Sequence, residues 1–231
     1  MDNNKRQEEI LNYLKSTHFA SVSELAAAFF ASEATIRRDI QKLALKGFVK
    51  SFYGGVAISE YQNTPVPVYL RDKENSANKE KIALNAAKLV EDNSTIIFDS
   101  SSTVRRMCKY ILDRKGLTVI TSNMRVCEEL KDSDIKVICI GGTLIKKREC
   151  FAGYLAEDAL RKIKADKLFF SSQGLSENGD ITDSSEEETS LRKVMLSVSR
   201  KHYFLCDASK FNKEFPFVLC NVEDIDQSFY E

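Results

Sequence analysis

Three amphipathic helices are predicted in the first 45 residues, because apolar side chains recur there at intervals of three and four positions. The first runs from about Asn4 to Ser16. The second begins at Ser21, where Ser21-Val22-Ser23-Glu24 fits a capping box. The third follows a short turn at Phe30-Ala31 and is capped by Ser32. Their inward faces hold Ile10, Leu11 and Leu14, then Leu25 and Phe29, then Ile36, Ile40 and Leu43.

A β-hairpin is predicted directly after the third helix. Gly47 ends the helix, and the runs Phe48–Tyr53 and Val56–Ile58 have strand character. The Gly54-Gly55 pair between them suits the positive φ angles of a two-residue hairpin turn. Three helices followed by a hairpin are typical of a winged helix-turn-helix, so residues 1–59 are predicted to form a domain of that type.

The pattern changes twice beyond this domain. Residues 60–78 lack periodicity, contain Pro65 and Pro67, and have the composition of a linker. From residue 79 onward a helical pattern is followed by short β-rich runs that alternate with amphipathic stretches. This alternation predicts an α/β domain with a largely parallel sheet over residues 79–231. The β-rich runs are Thr95–Phe98, Leu117–Thr121, Val137–Ile140, Lys167–Phe170, Tyr203–Cys206 and Phe217–Leu219.

Composition narrows the class of protein. The 231 residues carry 34 basic and 34 acidic side chains, so no global field draws the chain to nucleic acid, and any DNA-binding surface must be local. The six cysteines never approach a Cys-x-x-Cys spacing and are expected to be reduced thiols. No apolar run has the length of a signal peptide or a membrane span, so a cytoplasmic protein that does not bind membranes is expected.

The third helix has an outer face suited to DNA. That face holds Ala34, Arg38, Gln41 and Lys42, with Thr35 and Arg37 on its flanks, and these groups can reach base edges and phosphates. Residues 30–56 contain five basic and two acidic side chains, a local net charge of +3. Lys50, Ser51 and Tyr53 of the hairpin could contact phosphates. The alternative is a plain helical domain whose arginines pair with Glu33 and Asp39.

These motifs together are similar to a known family. Ser23-Glu24-Leu25-Ala26, then Ser32-Glu33-Ala34-Thr35-Ile36-Arg37-Arg38-Asp39-Ile40, and then Gly54-Gly55-Val56 resemble the DeoR family of bacterial sugar-metabolism regulators. Tyr53 departs from the histidine that usually precedes the Gly-Gly pair. The resemblance implies binding of operator DNA. The DNA-binding residues that it implies are Ser32, Thr35, Arg37, Arg38, Gln41, Lys42, Lys50, Tyr53 and Gly54.

The resemblance extends to about Asp226. Lys79-Glu80-Lys81-Ile82-Ala83 resembles the family's linker-helix motif, and Asp207-Ala208-Ser209-Lys210-Phe211 resembles its late Asp-Ser-Ser-Lys-Phe signature. It implies an α/β fold class in which the winged helix-turn-helix precedes a sensor domain like ribose-phosphate isomerases and related sugar-phosphate isomerases. It also implies a phosphorylated sugar as the effector.

The strand at Thr95–Phe98 is followed by a candidate phosphate-binding loop, Asp99-Ser100-Ser101-Ser102-Thr103. Hydroxyls and free backbone N–H groups at a helix N-terminus form an anion site. The family form is Asp-Ser-Gly-Thr-Thr, so Ser101 replaces the glycine and Ser102 the first threonine, and the change from glycine reduces backbone freedom. The alternative is a serine-rich helix cap that binds no ligand.

Further candidate residues follow the later strands, where ligands of such sheets bind. They are implied as effector contacts by the same resemblance, but each has a plainer interpretation. Gly-Gly is often a turn, the segment Lys146–Arg148 is usually a solvated loop, and Glu186–Glu188 can simply favour a helix start. The candidates are Asn123, Gly141, Gly142, Arg148, Gln173, Gly174, Asp183, Glu188, Arg192 and Lys210.

An enzyme is the competing interpretation, because the implied fold is that of isomerases and deaminases. The Asp-Gly-Ala-Asp-Glu segment of those isomerases is replaced by Ser172-Gln173-Gly174-Leu175-Ser176, and no Lys-Gly-Gly-Gly occurs. Asp183 and Glu188 are the remaining candidates for acid-base work. The expectation is therefore ligand binding without turnover, with no catalytic residue, metal or cofactor. The expected partners are operator DNA and a phosphorylated sugar, and the expected assembly is a homodimer or homotetramer.

Overall fold

The computed structural model describes residues 3–52, 55–58, 72 and 75–231. The chain divides into two compact units, Met1–Glu74 and Asn75–Glu231. Tyr53 and Gly54, which were expected in the hairpin turn, lie outside the described residues, and so does most of the expected linker.

The first unit contains the three predicted helices, with a small antiparallel sheet of order β1-β3-β2. The predicted hairpin strands are confirmed, while the first strand was not predicted. The helices are α1 (Asn3–Thr17), α2 (Val22–Ala28) and α3 (Glu33–Leu45), and the strands are β1 (Phe19–Ser21), β2 (Val49–Phe52) and β3 (Gly55–Ile58).

The predicted helix ends are confirmed by their caps. The Ser21 hydroxyl accepts the Glu24 N–H at 3.0 Å, and the Glu24 carboxylate accepts the Ser21 N–H at 2.7 Å, which completes the capping box. The Ser32 hydroxyl caps α3 by accepting the Thr35 N–H at 3.3 Å. At the other end of α3, Gly47 has a φ of +75°, the left-handed conformation that glycine adopts without strain.

The core of the first unit is formed by the predicted inward faces. Ile10, Leu14, Leu25 and Ile36 are completely buried, and Ile40 and Leu43 are nearly so. Leu11 and Phe29 are only partly buried at its margin. The three helices are therefore held by one common apolar cluster, which fixes the orientation of α3 within this unit.

The second unit is built on a six-stranded parallel sheet of order β14-β12-β9-β4-β5-β6. Two smaller antiparallel sheets flank it, β7-β8 and β10-β11-β13. The helices are α4 (Ser76–Ala87), α5 (Ser102–Arg105), α6 (Met124–Leu130), α7 (Tyr154–Arg161) and α8 (Glu186–Val198). The strands are β4 (Thr95–Phe98), β5 (Thr118–Thr121), β6 (Lys136–Cys139), β7 (Thr143–Ile145), β8 (Cys150–Ala152), β9 (Ala165–Phe170), β10 (Gly174–Leu175), β11 (Asp180–Asp183), β12 (Ser199–Cys206), β13 (Phe217–Asn221) and β14 (Gln227–Tyr230).

Five of the six predicted strands lie in the large sheet, and the structure differs from the prediction in the following respects. The run Phe217–Leu219 belongs to β13, which pairs antiparallel with β11 in a separate sheet. The edge strand β14 was not predicted, and neither were the strands β7, β8, β10 and β11 of the smaller sheets. Helix α4 begins at Ser76, so residues 76–78 form its first turn although they were expected in the linker.

Both faces of the large sheet are buried, as is usual for a parallel sheet. Side chains alternate along β4, so that Ile96 and Phe98 pack in a cluster with Ile82 of α4, whereas Ile97 packs in a second cluster with Leu191 of α8. The faces are therefore closed by apolar packing. Polar side chains can gather only at the ends of the strands.

No helix among the described residues is long and apolar enough to cross a membrane. All six cysteines are free thiols. Burial raises the pKa of the Cys150 thiol to about 12, which keeps this residue protonated near neutral pH.

Candidate DNA-binding surface and effector site

The outer face of α3 exposes the side chains expected to bind DNA. Arg37, Arg38, Gln41 and Lys42 are exposed, and Thr35 is half-buried. Arg37 pairs with Glu33 at 2.9 Å, one helical turn away, but more than half of the arginine side chain is accessible. Such exposed pairs contribute little, so a phosphate can replace the carboxylate.

The acidic residue of the Arg-Arg-Asp motif points to the opposite side. Asp39 is buried and accepts hydrogen bonds from Arg6 at 2.6 Å and Gln7 at 3.1 Å, both on α1. The interpretation that Asp39 pairs with the surface arginines is therefore wrong, although Arg37 does pair with Glu33. Because Asp39 is neutralised inside the unit, the outer face of α3 is more positive than the sequence count indicates.

The described part of the hairpin places Lys50 and Ser51 at its surface, on β2. Lys50 lies opposite Ala57 in the register of the two strands. Gly55 is packed so closely on β1 that an added Cβ would meet the Phe19 ring at 2.5 Å. The hairpin is thus fixed to the helical core by β1.

In the second unit, the candidate loop Asp99–Thr103 is buried throughout; it follows β4 and includes the first two residues of α5. The Ser101 hydroxyl caps α5 by accepting the Val104 N–H at 3.2 Å. Ser101 has φ −79° and ψ 148°, an extended conformation that any residue adopts, so serine in place of glycine causes no strain there. The buried Thr103 hydroxyl has no hydrogen-bond partner among the described residues.

Arg192 lies at the centre of a buried cluster of charges beside this loop. Its guanidinium donates to Asp99 at 3.0 Å, Asp183 at 2.9 Å and Glu188 at 3.4 Å, and also to the Ser100 hydroxyl at 3.3 Å. Burial alone would lower the pKa of Arg192, but the carboxylates of Asp183, Asp99 and Glu188 raise it above its ordinary value. The arginine is therefore permanently charged.

Arg148 joins the same cluster from the β7-β8 hairpin. It is 1% exposed and lies 2.7 Å from Glu188 and 3.7 Å from Asp183. The alternative interpretation of a solvated loop is correct for Lys146 and Lys147, which are exposed, and wrong for Arg148, which was a candidate effector contact. Two arginines and three carboxylates give the cluster a formal charge of −1. The Arg148 Nε atom is buried and has no hydrogen-bond partner in the described part of the chain.

A second group of polar side chains follows β9 and β12. The Asp99 carboxylate accepts the Ser171 N–H at 3.1 Å, and the Lys210 ammonium lies 2.6 Å from the Ser171 hydroxyl. Asp207 lies 3.7 Å from Lys210 and accepts a hydrogen bond from Asn75 at 2.9 Å. A continuous polar network thus runs from Lys210 through Asp99 to Arg192.

The remaining candidates lie around this network with different local roles. Gln173 donates to Asp183 at 3.0 Å. Asn123 is buried and caps α6 through its side chain, which accepts the Arg125 N–H at 3.0 Å. Gly141 is exposed after β6, and an added Cβ on Gly142 would meet the Ala152 carbonyl at 2.6 Å.

Gly174 has a packing role. It lies in β10, and an added Cβ would meet the Lys213 carbonyl oxygen at 2.4 Å. Glycine is therefore required at this position because two backbone segments approach each other closely there.

Sequence reasoning missed Ser171 and Asp207 as members of the network. Both directly follow a strand of the parallel sheet, β9 and β12, just as Asp99 follows β4. That position was the available signal. Among the described residues, no group of three or more His, Cys, Asp or Glu side chains is placed to hold a metal ion.

Replacing Asp207 with asparagine should destabilise the chain by about 1–3 kcal/mol at neutral pH. Burial opposes ionisation of Asp207, but Lys210, the Ser209 hydrogen bond, Lys79 and Asn75 together lower its pKa below the ordinary 3.8. A lowered pKa contributes stability above pH 4, and this stability is lost as the pH falls through the folded-state pKa.

Urea unfolding at several pH values measures this effect. The difference in unfolding free energy between wild type and Asp207→Asn should be constant near neutrality and shrink below about pH 4. A difference that grows on acidification would contradict the assignment.

Sequence profiles of known families match both units. The DeoR C terminal sensor domain matches residues 74–230, and the DeoR-like helix-turn-helix domain matches residues 6–62. The chain belongs to the DeoR family of transcriptional regulators. It has the family's DNA-binding helix-turn-helix and C-terminal sensor domain.

Individual relatives cover nearly the whole chain. The L-fucose operon activator of Haemophilus influenzae is 34% identical over 227 residues, which are 98% of this chain and 91% of that protein. The lactose phosphotransferase system repressor of Staphylococcus aureus is 28% identical over 229 residues, 97% of this chain and 90% of that protein.

The solved structures show likeness of fold alone. The delta subunit of eIF2B from Chaetomium thermophilum has a TM-score of 0.51 and 16% identity, over 70% of this chain and 58% of that one. A ribose 5-phosphate isomerase from Methanocaldococcus jannaschii has a TM-score of 0.45 and 17% identity, over 60% and 55% of the two chains. The chain thus spans less than two thirds of either structure.

Proposed function

We propose that this DeoR-family protein represses a carbohydrate-metabolism operon and is controlled by a phosphorylated sugar bound in its sensor domain. The observation that carries the sensor half is the convergence of buried polar side chains at the carboxyl ends of β4, β9 and β12. Ligands of parallel α/β sheets bind at this edge. The names of the relatives, which refer to L-fucose and lactose, favour a sugar.

The charges of the network suggest how such a ligand is oriented. The cluster around Arg192 has a formal charge of −1, and its carboxylates and guanidiniums offer acceptors and donors at which sugar hydroxyls can bind. A phosphate carries nearly two negative charges and would be repelled by Asp183 and Glu188. We therefore place the phosphate at the Ser101–Thr103 part of the loop, with Lys210 as its counter-charge. The sugar hydroxyls are placed at Arg192, Arg148 and Ser100, whose hydroxyl donates to Glu188 at 2.6 Å.

The other expected effector contacts are proposed to line the edge of the site. Gln173 is hydrogen-bonded to Asp183 and can contact the sugar hydroxyls beside it. Asn123, Gly141 and Gly142 lie after β5 and β6, at the same edge of the sheet. Gly174 shapes the wall by close packing.

Operator binding is assigned to α3 and the hairpin. The N-terminal residues of a recognition helix contact base edges, so Ser32, Thr35, Arg38 and Gln41 are proposed to enter the major groove. The other basic residues of this surface are proposed to contact phosphates, together with the hairpin residues Tyr53 and Gly54. These basic residues are Arg37, Lys42 and Lys50.

Regulation requires the sugar to bind the DNA-competent and DNA-incompetent states unequally. Differential binding of this kind typically changes affinity about 5- to 150-fold. We propose residues 1–59 and 79–231 as the two functional domains and residues 60–78 as the segment that couples them. A homodimer or homotetramer is proposed, because two recognition helices are needed to read two half-sites of an operator.

We propose binding without turnover. Asp99, Asp183 and Glu188 are all held by Arg192 in one network, a role that accounts for these carboxylates without acid-base work. The relatives are named as regulators. Turnover of any bound sugar phosphate by the purified chain would favour the isomerase-like alternative.

The proposed effector class is tested by thermal denaturation of the full chain with a panel of sugar phosphates and the matching free sugars. A phosphorylated sugar at 100 times its Kd should stabilise the chain by about 2.7 kcal/mol, while its unphosphorylated counterpart should do so much less. Each hit is then titrated against the chain bound to promoter DNA. Stabilisation by free sugars alone would contradict the placement of a phosphate.

Replacing Ser102 and Thr103 together by alanine should leave DNA binding intact and blunt the response to the effector at least tenfold. Both hydroxyls are buried at the proposed phosphate position, and loss of two charge-assisted hydrogen bonds costs about 3 kcal/mol. The measurement is effector-induced release of DNA in a mobility-shift titration.

Ser133→Ala is the matched control, because this hydroxyl bonds the Leu130 carbonyl in a loop between α6 and β6. It should respond as wild type does. If the double variant releases DNA at the same effector concentration as wild type, the loop serves only to cap the helix and does not bind the phosphate.

A further inference from the structure

The turn between α2 and α3 contains an exposed aromatic side chain in an unfavourable backbone conformation. Phe30 is 97% exposed and has a φ of +48°. A positive φ is rare for a bulky residue, because the Cβ atom crowds the following carbonyl oxygen. The neighbouring Phe29 behaves differently, since its ring packs edge-on against Tyr13 at 5.9 Å.

The hydrogen bonds of this turn form a Schellman motif. The Ala31 N–H donates to the Ala26 carbonyl at 3.0 Å, and the Phe30 N–H donates to the Ala27 carbonyl at 3.4 Å. The end of α3 repeats the motif, with Phe48 donating to Leu43 at 3.0 Å and Gly47 to Ala44 at 2.9 Å. In α3 the left-handed position is glycine, whereas in α2 it is Phe30.

The conformation of Phe30 therefore has a cost that glycine would avoid, and its ring is almost fully exposed rather than packed against the described residues. The turn immediately precedes Ser32, the cap of α3. The N-terminal end of a recognition helix is the part that enters the major groove. Arg38 and Lys42 are exposed on the outer face of the helix that follows this turn, and their charge is complementary to that of a duplex.

We propose that the Phe30 ring is a specificity-determining contact to operator DNA, where it packs against the C5-methyl group of a thymine in the major groove. This inference rests on the DNA-binding function of the helix-turn-helix. An aromatic side chain makes apolar contact with this methyl group, which distinguishes thymine from the other bases at that edge. The strained turn thereby presents an apolar group beside the polar side chains of α3.

Removal of the Phe30 ring is expected to raise the stability of the chain and to lower its affinity for DNA. A purely structural role of Phe30 would not produce these opposite effects. Phe30→Gly should raise the thermal midpoint of the full chain, by roughly 2–6 °C, because the strain is relieved. The same change should weaken binding roughly tenfold, because the apolar contact is lost. Phe30→Asn should weaken binding equally, since asparagine tolerates positive φ but has no ring. Phe30→Tyr keeps the ring and should retain affinity.

The probe is a duplex selected by the wild-type chain from a pool of random sequence, with affinity measured at several salt concentrations. Phe30→Asn should lower the affinity without changing its salt dependence, because the ring neutralises no phosphate. Lys42→Ala, at a proposed phosphate contact, should reduce the salt slope by about one. Leu112→Asn, which removes an exposed apolar side chain from the sensor unit, is the control and should bind as wild type does.

Deoxyuridine is then substituted for each thymidine of the selected duplex in turn. At one position per half-site the wild-type chain should bind about fourfold more weakly, while Phe30→Asn should be insensitive to the same substitution. Equal sensitivity of both proteins at every thymine, unchanged affinity of Phe30→Asn, or a lowered midpoint for Phe30→Gly would overturn the proposal. If the wild-type chain selects no duplex, the DNA-binding function itself fails instead.

Discussion

Replacing Arg192 with methionine is expected to destabilise the sensor unit by about 3–5 kcal/mol, the largest effect of any single substitution proposed for this chain. The variant would leave the carboxylates of Asp99, Asp183 and Glu188 buried without the Arg192 guanidinium, while Arg148 still pairs with Asp183 and Glu188. Methionine has a similar length and no charge, so loss of volume contributes little.

Urea unfolding followed by circular dichroism measures this loss. Arg161→Met is the matched control, because Arg161 pairs with Glu157 on the surface of α7 and is more than half exposed. An exposed pair of this kind contributes at most about 0.5 kcal/mol. If the two variants lost similar stability, the cluster around Arg192 would not be the electrostatic centre of the unit.

Arg38→Ala is expected to weaken operator binding by about 1–3 kcal/mol, which is roughly 5- to 150-fold. Its side chain is exposed on the outer face of α3 and has no ion-pair partner among the described residues, so it is available to a guanine. Because the substitution breaks no ion pair of the described residues, the unfolding free energy of Arg38→Ala should stay within about 0.5 kcal/mol of that of wild type.

Mobility-shift titration with the selected duplex measures the change. Arg200→Ala, which removes another exposed arginine from the sensor unit, is the control and should bind as wild type does. Equal affinity of Arg38→Ala and wild type would remove Arg38 from the recognition surface.

The elements with regular apolar patterns could be predicted from the sequence. Thr95–Phe98 is a strand with the predicted bounds, because a short β-branched run between polar residues has few other solutions. The caps at Ser21 and Ser32 were equally accessible, since their hydroxyls act on backbone groups only three positions away. Local chemistry is sufficient for such features.

The features that were missed depend on contacts between distant residues. The strand Phe19–Ser21 exists only because β3 pairs with it, and three residues carry no period of their own. The burial of Arg148, a predicted effector contact, was not evident from the sequence, because the carboxylates that pair with it lie 35 and 40 positions later. No spacing along the chain indicates such a pairing. The same holds for Asp39 and its partner Arg6 on α1.

The burial of Asp39 has a consequence for redirecting this regulator to other promoters. The bonds from Arg6 and Gln7 to Asp39 anchor α3 from its inner side, together with Ile36 and Ile40. The outer residues take no part in that anchoring. Exposed residues of α3 can therefore be replaced by side chains that recognise other bases without disturbing the contacts that orient the helix. Sequence specificity can thus be changed independently of the fold of this unit.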